Sequence, residues 1–304
     1  MTIEKAAQPL QCQGEFRYEE PLARYTSWRV GGPAERMFLP ADKDDLVLFL
    51  KTLPSEDSLF WLGLGSNVLV RDGGIRGAVI CTRGRLKVMR LQSEHSVFIE
   101  AGVPCAHVAR FCSEQGLAGA EFLAGIPGTF GGALAMNAGA FGGEAWGLVK
   151  TVQTVNKQGL FQEREVKEFE IGYRHVIGRV DEWFLSATLV LSPEKNGRSL
   201  NRIRELLAKR AQTQPIQLPS CGSVFRNPSG DYAARLIEAS GLKGHIIGGA
   251  SVSEKHANFI VNNGGATSAE IEKLIHYIIK EVEKKQGIIL KTEVCVVGDE
   301  ARKG

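Results

Sequence analysis

GIPGTFGGALAMNAGAFGG, residues 125–143, holds seven glycines, one proline and no charge. It lies inside a longer uncharged run from Phe122 to Gly143. The run is about as long as a membrane-spanning helix of ~20 residues. Glycine at this density, together with a proline, disfavours such a helix unless other helices surround it. A flexible linker would carry serine and other polar residues in place of Ile, Phe, Leu and Met. Two readings stay open: a buried glycine-rich turn inside a core, and a backbone that approaches a ligand and turns successive N–H groups toward phosphate oxygens.

The bulk composition narrows the field. A chain of 304 residues, 43% hydrophobic and 23% charged, can bury a large core and divide into two or three domains. The formal net charge is +3. No long Lys/Arg stripe offers itself to nucleic acid. RGRLKVMR (83–90) is mildly basic and reads as a solvated strand or loop. Six cysteines, at 12, 81, 105, 112, 221 and 295, form no C-x-x-C pair and no zinc-finger spacing with histidine. They read as reduced thiols, mostly on apolar segments, and no metal is expected. MTIEKAAQPL (1–10) lacks the basic and apolar regions of a signal peptide. The expectation is a cytoplasmic protein, monomeric, with neither membrane nor nucleic acid as partner.

The first 30 residues show no clear period. ADKDDLVLFLKTL (41–53) reads as a helix capped by Asp42, with Leu46, Phe49, Leu50 and Leu53 on one face. LFWLG (59–63) reads as a buried strand, followed by strands at 77–82 and 96–102. PCAHVARFCSEQG (104–116) is a helix with proline at its first turn and glycine past its end. Segments 148–155, 160–166 and 183–192 look like an antiparallel sheet. A polar start and then Ile203, Leu206 and Leu207 facing inward mark a helix over 196–215. A helix near 232–240 and another over about 267–285 follow. In the latter, Thr267 and Glu270 form a capping box, and Ile271, Leu274, Ile275, Ile278 and Val282 recur at helical spacing. IILKTEVCVVG (288–298) reads as the final strand.

Several pieces carry groups for chemistry. In LGLGSNVLVRDGG (62–74), Gly63, Gly65, Ser66 and Asn67 follow a strand and form either a phosphate cradle or a tight turn. The spacing is neither a Walker A loop nor a dinucleotide G-x-G-x-x-G. In LPSCGSVFRNP (218–228), Ser223, Arg226 and Asn227 sit in a proline-bracketed turn that is not the G-x-S-x-G of a hydrolase. Nothing nearby obviously activates Cys221. Arg174 in GYRHVIG (172–178) is either a surface arginine or a bidentate anion site. Strand alternation puts Ile289, Lys291, Glu293, Cys295 and Val297 on one face. A carboxylate on a buried face must be paired or protonated. SEKHANFIVNNGG (253–265) gathers His256, Asn258 and further donors.

YTSWRVGGPA (25–34), LGLGSNVLVRDGG (62–74), GIPGTFGGALAMNAGAFGGE (125–144), GYR (172–174), PSCGSVFRNP (219–228), KHANFIVN (255–262) and KTEVCVVG (291–298) stand in one order. In these motifs, from about Tyr25 to Gly298, the chain resembles the UDP-N-acetylenolpyruvoylglucosamine reductase family. The resemblance implies an α+β protein with a vanillyl-alcohol-oxidase/PCMH-type FAD-binding fold. Two subdomains, 1–75 and 76–194, would bind FAD, and a carboxy-terminal α+β domain, 195–304, would bind substrate. FAD would be held non-covalently by Gly63, Gly65, Ser66 and Asn67 in one loop. The other loop would contribute Gly125, Ile126, Pro127, Gly128, Thr129, Gly131, Gly132, Asn137 and Gly139. NADPH would supply hydride for reduction of the enolpyruvyl ether of UDP-N-acetylglucosamine. Ser223 would protonate the α-carbon, with Arg174 and Glu293 stabilising charge on the substrate carboxylate. Tyr173, Arg226, Asn227, His256 and Asn258 would contact substrate. Thr213 and Gln214 precede Pro215 where many relatives carry lysine. The short span from Arg174 to Trp183 leaves no room for the tyrosine loop of other relatives, which implies the shorter subtype. An oxidase of another sugar or alcohol in the same fold, and a non-catalytic nucleotide-binding protein, are the competing readings. Oxidases of that fold often attach FAD through His or Cys, and no such residue stands here in a matching motif; the nucleotide-binding protein would not need Ser223, Arg174 and Glu293 together.

Overall fold

The computed structural model describes residues 12–301. The decapeptide MTIEKAAQPL lies outside them. The chain forms two compact units, each assembled from three segments. The first contains the described part of Met1–Tyr18, Arg36–Gly63 and Gly77–Leu200; the second contains Glu19–Glu35, Leu64–Arg76 and the chain from Asn201.

In the first unit, helix α1 (Lys43–Thr52) begins where Asp42 accepts the Asp45 N–H at 2.9 Å, as its sequence predicts. Leu46, Phe49 and Leu50 are buried, and Phe49 stacks on Phe38 with ring centroids 4.3 Å apart. Leu59–Leu62 pairs in parallel with the strand Ile75–Cys81. Only Leu62 of this short strand is fully buried, because the side chains of Phe60 and Trp61 are half-covered. A five-stranded antiparallel sheet runs in the order Phe161–Glu165, Val149–Asn156, Glu182–Val190, Ser96–Glu100, Met89–Ser93. Helix α2 (Cys105–Glu114) buries Val108 and Cys112. The glycine-rich stretch contains a 3₁₀ turn, Glu121–Gly125, and the short helix α3 (Phe130–Ala135). Thr129 caps α3, accepting the Gly132 N–H at 3.4 Å.

In the second unit, helices α4 (Ser199–Thr213), α5 (Ala233–Ala239) and α6 (Ser268–Gln286) accompany a small antiparallel sheet of Ile246–Ile247, Ala250–Val252 and Ile260–Asn262. Ile203 and Leu206 point inward on α4, but Leu207 is 41% exposed: the apolar stripe is narrower than its sequence suggested. The Thr267–Glu270 capping box is present, and Ile271, Leu274, Ile275, Ile278 and Val282 are all buried. The aperiodic amino-terminal region supplies a core residue. Trp28 is fully buried and donates its indole N–H to the Ile260 carbonyl at 2.7 Å.

The expected final strand shrinks to Cys295–Val297, paired in parallel with Val68–Val70. Leu290 and Val294 are the buried residues, while Ile289 is 63% exposed and Lys291 and Cys295 are exposed. The face carrying Glu293 is therefore the more open one. Residues 288–294 are not a regular strand, yet their burial still alternates, with Leu290 and Val294 inward and the expected face outward.

Arg71 and Asp72 have a part that their sequence context hid. Asp72 accepts the Ser268 and Ala269 N–H groups, each at 2.9 Å, and so caps α6 from a distant segment. Arg71 forms a two-point ion pair with Glu272 on the same helix, at 3.0 and 2.8 Å. Asp72→Ala should cost about 1–2 kcal/mol, the usual range for a lost cap. Denaturant unfolding monitored by circular dichroism should show the loss. Unchanged stability would mean that the Thr267 cap suffices alone.

Candidate functional site

A cavity of ≈ 300 Å³ opens in the first unit. Trp61 and Trp183 stack on its wall with centroids 5.6 Å apart and planes 18° from parallel. Thr82, Thr129 and Thr154 line it, and α3 presents Gly131, Gly132 and Ala135. No α3 side chain that faces the cavity is larger than a methyl. The indole N–H of Trp61 is buried with no acceptor among the described residues.

The glycines of the two expected loops divide by their surroundings. A side chain on Gly63 would collide with the Thr129 hydroxyl, so glycine lets the first loop touch the second. A Cβ on Gly131 would lie 2.7 Å from Ala101 Cβ, and one on Gly125 would lie 2.6 Å from the Phe141 ring. Those positions are set by packing. Gly132 differs: a Cβ there meets only Thr129 Oγ1, at 3.6 Å, and otherwise projects into open space. The start of α3 does not offer the row of N–H groups that the sequence suggested. Phe130 N–H donates to the Val103 carbonyl and Gly131 N–H to the Ala101 carbonyl, both at 2.8 Å. Ile126, Pro127 and Gly128 lead into this turn, and the Gly128 carbonyl accepts the Cys105 N–H at 2.9 Å.

Asn137 is 1% exposed and its amide is engaged within the protein. It donates to Glu144 Oε2 at 2.9 Å and to the Gly172 carbonyl at 3.1 Å, and accepts the Trp146 N–H at 3.2 Å. Arg174 occupies the turn of the hairpin formed by Glu170–Gly172 and His175–Ile177, beside the exposed Tyr173. Its guanidinium donates to the Gly139 carbonyl at 2.7 Å and lies 5.3 Å from the Tyr173 ring centre.

Gly65, Ser66 and Asn67 belong to the second unit. Gly65 takes a left-handed φ of +60° beneath the Tyr25 carbonyl. Asn67 donates from its amide to the Glu293 carbonyl at 3.1 Å. The serine turn is built here too. The Glu293 N–H donates to the Val224 carbonyl at 2.7 Å, which draws Glu293 beside the residue that follows Ser223. Asn258 brackets Phe225: its Oδ1 accepts the Phe225 N–H at 2.9 Å and its Nδ2 donates to the Phe225 carbonyl at 2.8 Å. At 4% exposed, Asn258 supports the serine turn from behind. Asn227 accepts the Ala233 N–H at 3.1 Å, at the start of α5. Arg226 is half-buried, with its Nε lacking an acceptor among the described residues. Ser223 and Glu293 are thus brought together within the second unit, while Arg174 is part of the first.

Burial removes the thiols from the chemistry. Cys221 is 2% exposed with Sγ directed to the Val68 carbonyl at 3.7 Å, and burial pushes its pKa well above the ordinary thiol range. Burial likewise lifts Cys105 and Cys112 to about 12. All six cysteines are free. Among the described residues, no group of three or more His, Cys, Asp or Glu is placed to hold a metal ion, and no helix is long and apolar enough to cross a membrane.

A family model described as the carboxy-terminal domain of UDP-N-acetylenolpyruvoylglucosamine reductase matches residues 214–297, and one described as an FAD binding domain matches residues 34–163. UDP-N-acetylenolpyruvoylglucosamine reductase of Methylococcus capsulatus is 61% identical over 287 residues, covering 94% of each chain. The crystal structure of UDP-N-acetylenolpyruvylglucosamine reductase from Thermus caldophilus superposes with a TM-score of 0.80 at 31% identity, covering 93% of this chain and 98% of that one. The 6-hydroxy-D-nicotine oxidase of Arthrobacter nicotinovorans shares the fold, with a TM-score of 0.60 at 13% identity over 94% of this chain and 90% of its own.

His256 accepts the Asn258 N–H through Nδ1 at 3.3 Å, and burial lowers its pKa. A histidine with a lowered folded pKa is neutral when folded and takes up a proton more readily when unfolded. Its contribution is present above about pH 6.5, the unfolded value, and is lost as pH falls through the folded value. The melting temperature should therefore drop between pH 7.5 and 5.5, and His256→Gln should shrink that drop. An identical drop in the variant would show that other groups control it.

Proposed function

Because the chain belongs to the UDP-N-acetylenolpyruvoylglucosamine reductase family, we propose that it reduces the enolpyruvyl ether of UDP-N-acetylglucosamine to the lactyl ether, a step in making peptidoglycan precursor. Its fold is the FAD-binding fold of the vanillyl-alcohol-oxidase type, α+β in composition. The first-unit cavity suits a flat ring system, with stacked indoles, three lining threonines, an indole N–H that has no acceptor among the described residues, and the open space above Gly132. Gly63, Thr129, Gly131 and Gly132 are the residues that would hold FAD there. The resemblance adds Gly65, Ser66 and Asn67. FAD held there would supply the redox chemistry, taking hydride from NADPH and delivering it to the vinyl methylene carbon of the substrate.

The chain's own residues manage the charge and the proton. Hydride at the methylene carbon leaves an electron pair on the α-carbon, spread into the carboxylate. Arg174 supplies fixed positive charge to that carboxylate. Glu293, as a neutral acid, donates to it. Ser223 Oγ gives its proton to the α-carbon and regains one from water. Serine is a weak acid, but the α-carbanion is a strong base, so placement matters more than matched acidity. Arg226, with its buried unpaired Nε, supports a contact to an anionic part of the substrate. Tyr173, Asn227, His256 and Asn258 complete the substrate set, the last three by shaping the serine turn.

The observation that carries this reading is the Glu293–Val224 backbone hydrogen bond at 2.7 Å, which sets an acid beside the serine turn. The same reading gives segments 1–75 and 76–194 to FAD and 195–304 to substrate. It also gives a cytoplasmic monomer of the shorter subtype. A visible spectrum of the purified protein tests it first. Non-covalent FAD, bleached by NADPH and restored by the enolpyruvyl sugar nucleotide, is the expected result. A colourless protein that takes up no FAD would refute it.

Two variants localise the parts. Gly132→Leu should lower flavin content at least 10-fold, since its side chain enters the cavity. Thermal stability of the apoprotein should hold, because leucine is better than glycine in a helix by about 1 kcal/mol. Normal flavin content would remove this cavity from the cofactor site. Ser223→Ala should leave bleaching by NADPH unchanged and slow reoxidation by substrate roughly 10²-fold or more. Equal loss in both half-reactions would overturn the proton-donor role.

A further inference from the structure

We propose that the loop from Asn137 to Glu144 is the seat of Arg174, with Asn137 and Glu144 acting as positioning residues for that arginine; the inference rests on the role given to Arg174 above. Arg174 has a φ of +55°. A non-glycine residue there costs roughly 1 kcal/mol or more, and such a conformation persists only where the surroundings dictate it. A hairpin turn alone would be better served by glycine or asparagine. Arginine in this place indicates that its side chain is in use.

The surroundings converge on it. Asn137 grips both ends of the residue: its carbonyl accepts from Arg174 Nη1 at 3.4 Å, and its amide donates to the Gly172 carbonyl at the base of the hairpin. The second amide hydrogen goes to Glu144. Asn137 is itself left-handed, with a φ of +44°, a conformation that asparagine tolerates. Gly139 explains the remaining space. A side chain there would lie 2.6 Å from the Gly143 carbonyl, 3.0 Å from Glu144 Cγ and 3.1 Å from Arg174 Nη1. The missing Cβ lets the guanidinium settle on the Gly139 carbonyl, with the carboxylate-bearing Glu144 side chain close by. Asn137 and Gly139 thus serve the arginine. The seat continues directly from α3, so the segment that lines the cavity also holds the charge.

Asn137→Gly keeps the left-handed backbone without strain and deletes the amide. Flavin content and bleaching by NADPH should match the wild type. Reoxidation at saturating substrate should fall about 10²-fold, as expected for a displaced charge, with a smaller change in KM. In an Arg174→Lys background, adding Asn137→Gly should cost less than threefold more. Should Asn137→Gly not fold, Glu144→Ala, which removes the carboxylate that accepts the Asn137 amide, carries the test through slowed reoxidation at unchanged flavin content. Full, independent losses in both backgrounds, or a loss confined to flavin content, would overturn the seat. Wild-type protein that is bleached by NADPH but not restored by substrate would overturn the functional reading itself, and this role with it.

Discussion

Thr129 is the point around which the first unit's cavity is arranged. Its side chain is 3% exposed, its hydroxyl closes the start of α3, and its bulk fills the space that a Gly63 side chain would need. Two loops remote in sequence therefore meet at one threonine, and neither can shift without disturbing the helix cap. The N–H groups of Phe130 and Gly131 are tied to the Val103 and Ala101 carbonyls, so the helix start is a rigid wall and not a hook for anions. Under the proposed function, recognition at this wall comes from shape. Small residues yield room to a flat ligand, and the paired indoles of Trp61 and Trp183 offer it a surface.

Much of the architecture was legible in the sequence, because local signals and packing agreed. Asp42, Thr267 and the apolar stripes of α1 and α6 combined cap chemistry with helical period, and those helices formed as their sequences predict. The density of glycine in 125–143 correctly marked a place of close approach, but not what approached. Ala101, Phe141 and the Gly143 carbonyl crowd Gly131, Gly125 and Gly139, while Gly132 and Gly142 face open space. Glu293 does share a face with Ile289, Lys291 and Cys295, but that face is the open one, because alternation gives the period and not which side meets the core. In the fold, Leu290 and Val294 drop into the core and the chain between them is irregular. The resemblance named Asn137 and Asn258 for ligand contact, while each spends its amide on backbone groups far along the chain. Asp72 and Trp28 gave no signal at all, since a cap or an indole acceptor supplied from some two hundred residues away leaves no local pattern.

Burial also decides which nucleophilic or acidic atoms remain for chemistry. Cys221 stands two residues before Ser223, yet its sulfur is buried against the Val68 and Gly65 carbonyls and its thiolate is strongly disfavoured. Ser223 is half-exposed on the same turn, where Gly222, with a φ of +71°, redirects the chain between them. One left-handed glycine thereby separates an inert side chain from one that can meet a ligand. A proton donor with an ordinary hydroxyl fits a reaction that generates a strongly basic carbon, and it avoids the oxidation to which an exposed thiolate would be prone.

The three-segment construction of the second unit constrains how the protein is made. Trp28 is an early residue whose indole N–H acceptor, Ile260, lies 232 residues further on, and Asn262 returns a hydrogen bond to the Trp28 carbonyl. At ~5–20 residues per second, the ribosome needs roughly 10–50 s to supply those partners. Throughout that interval, the apolar surfaces of Trp28 and Leu69 have no completed core to enter. The second unit is thus obliged to close only after residue 262 has been made, which makes the nascent chain a client for chaperones and a truncated one a candidate for aggregation.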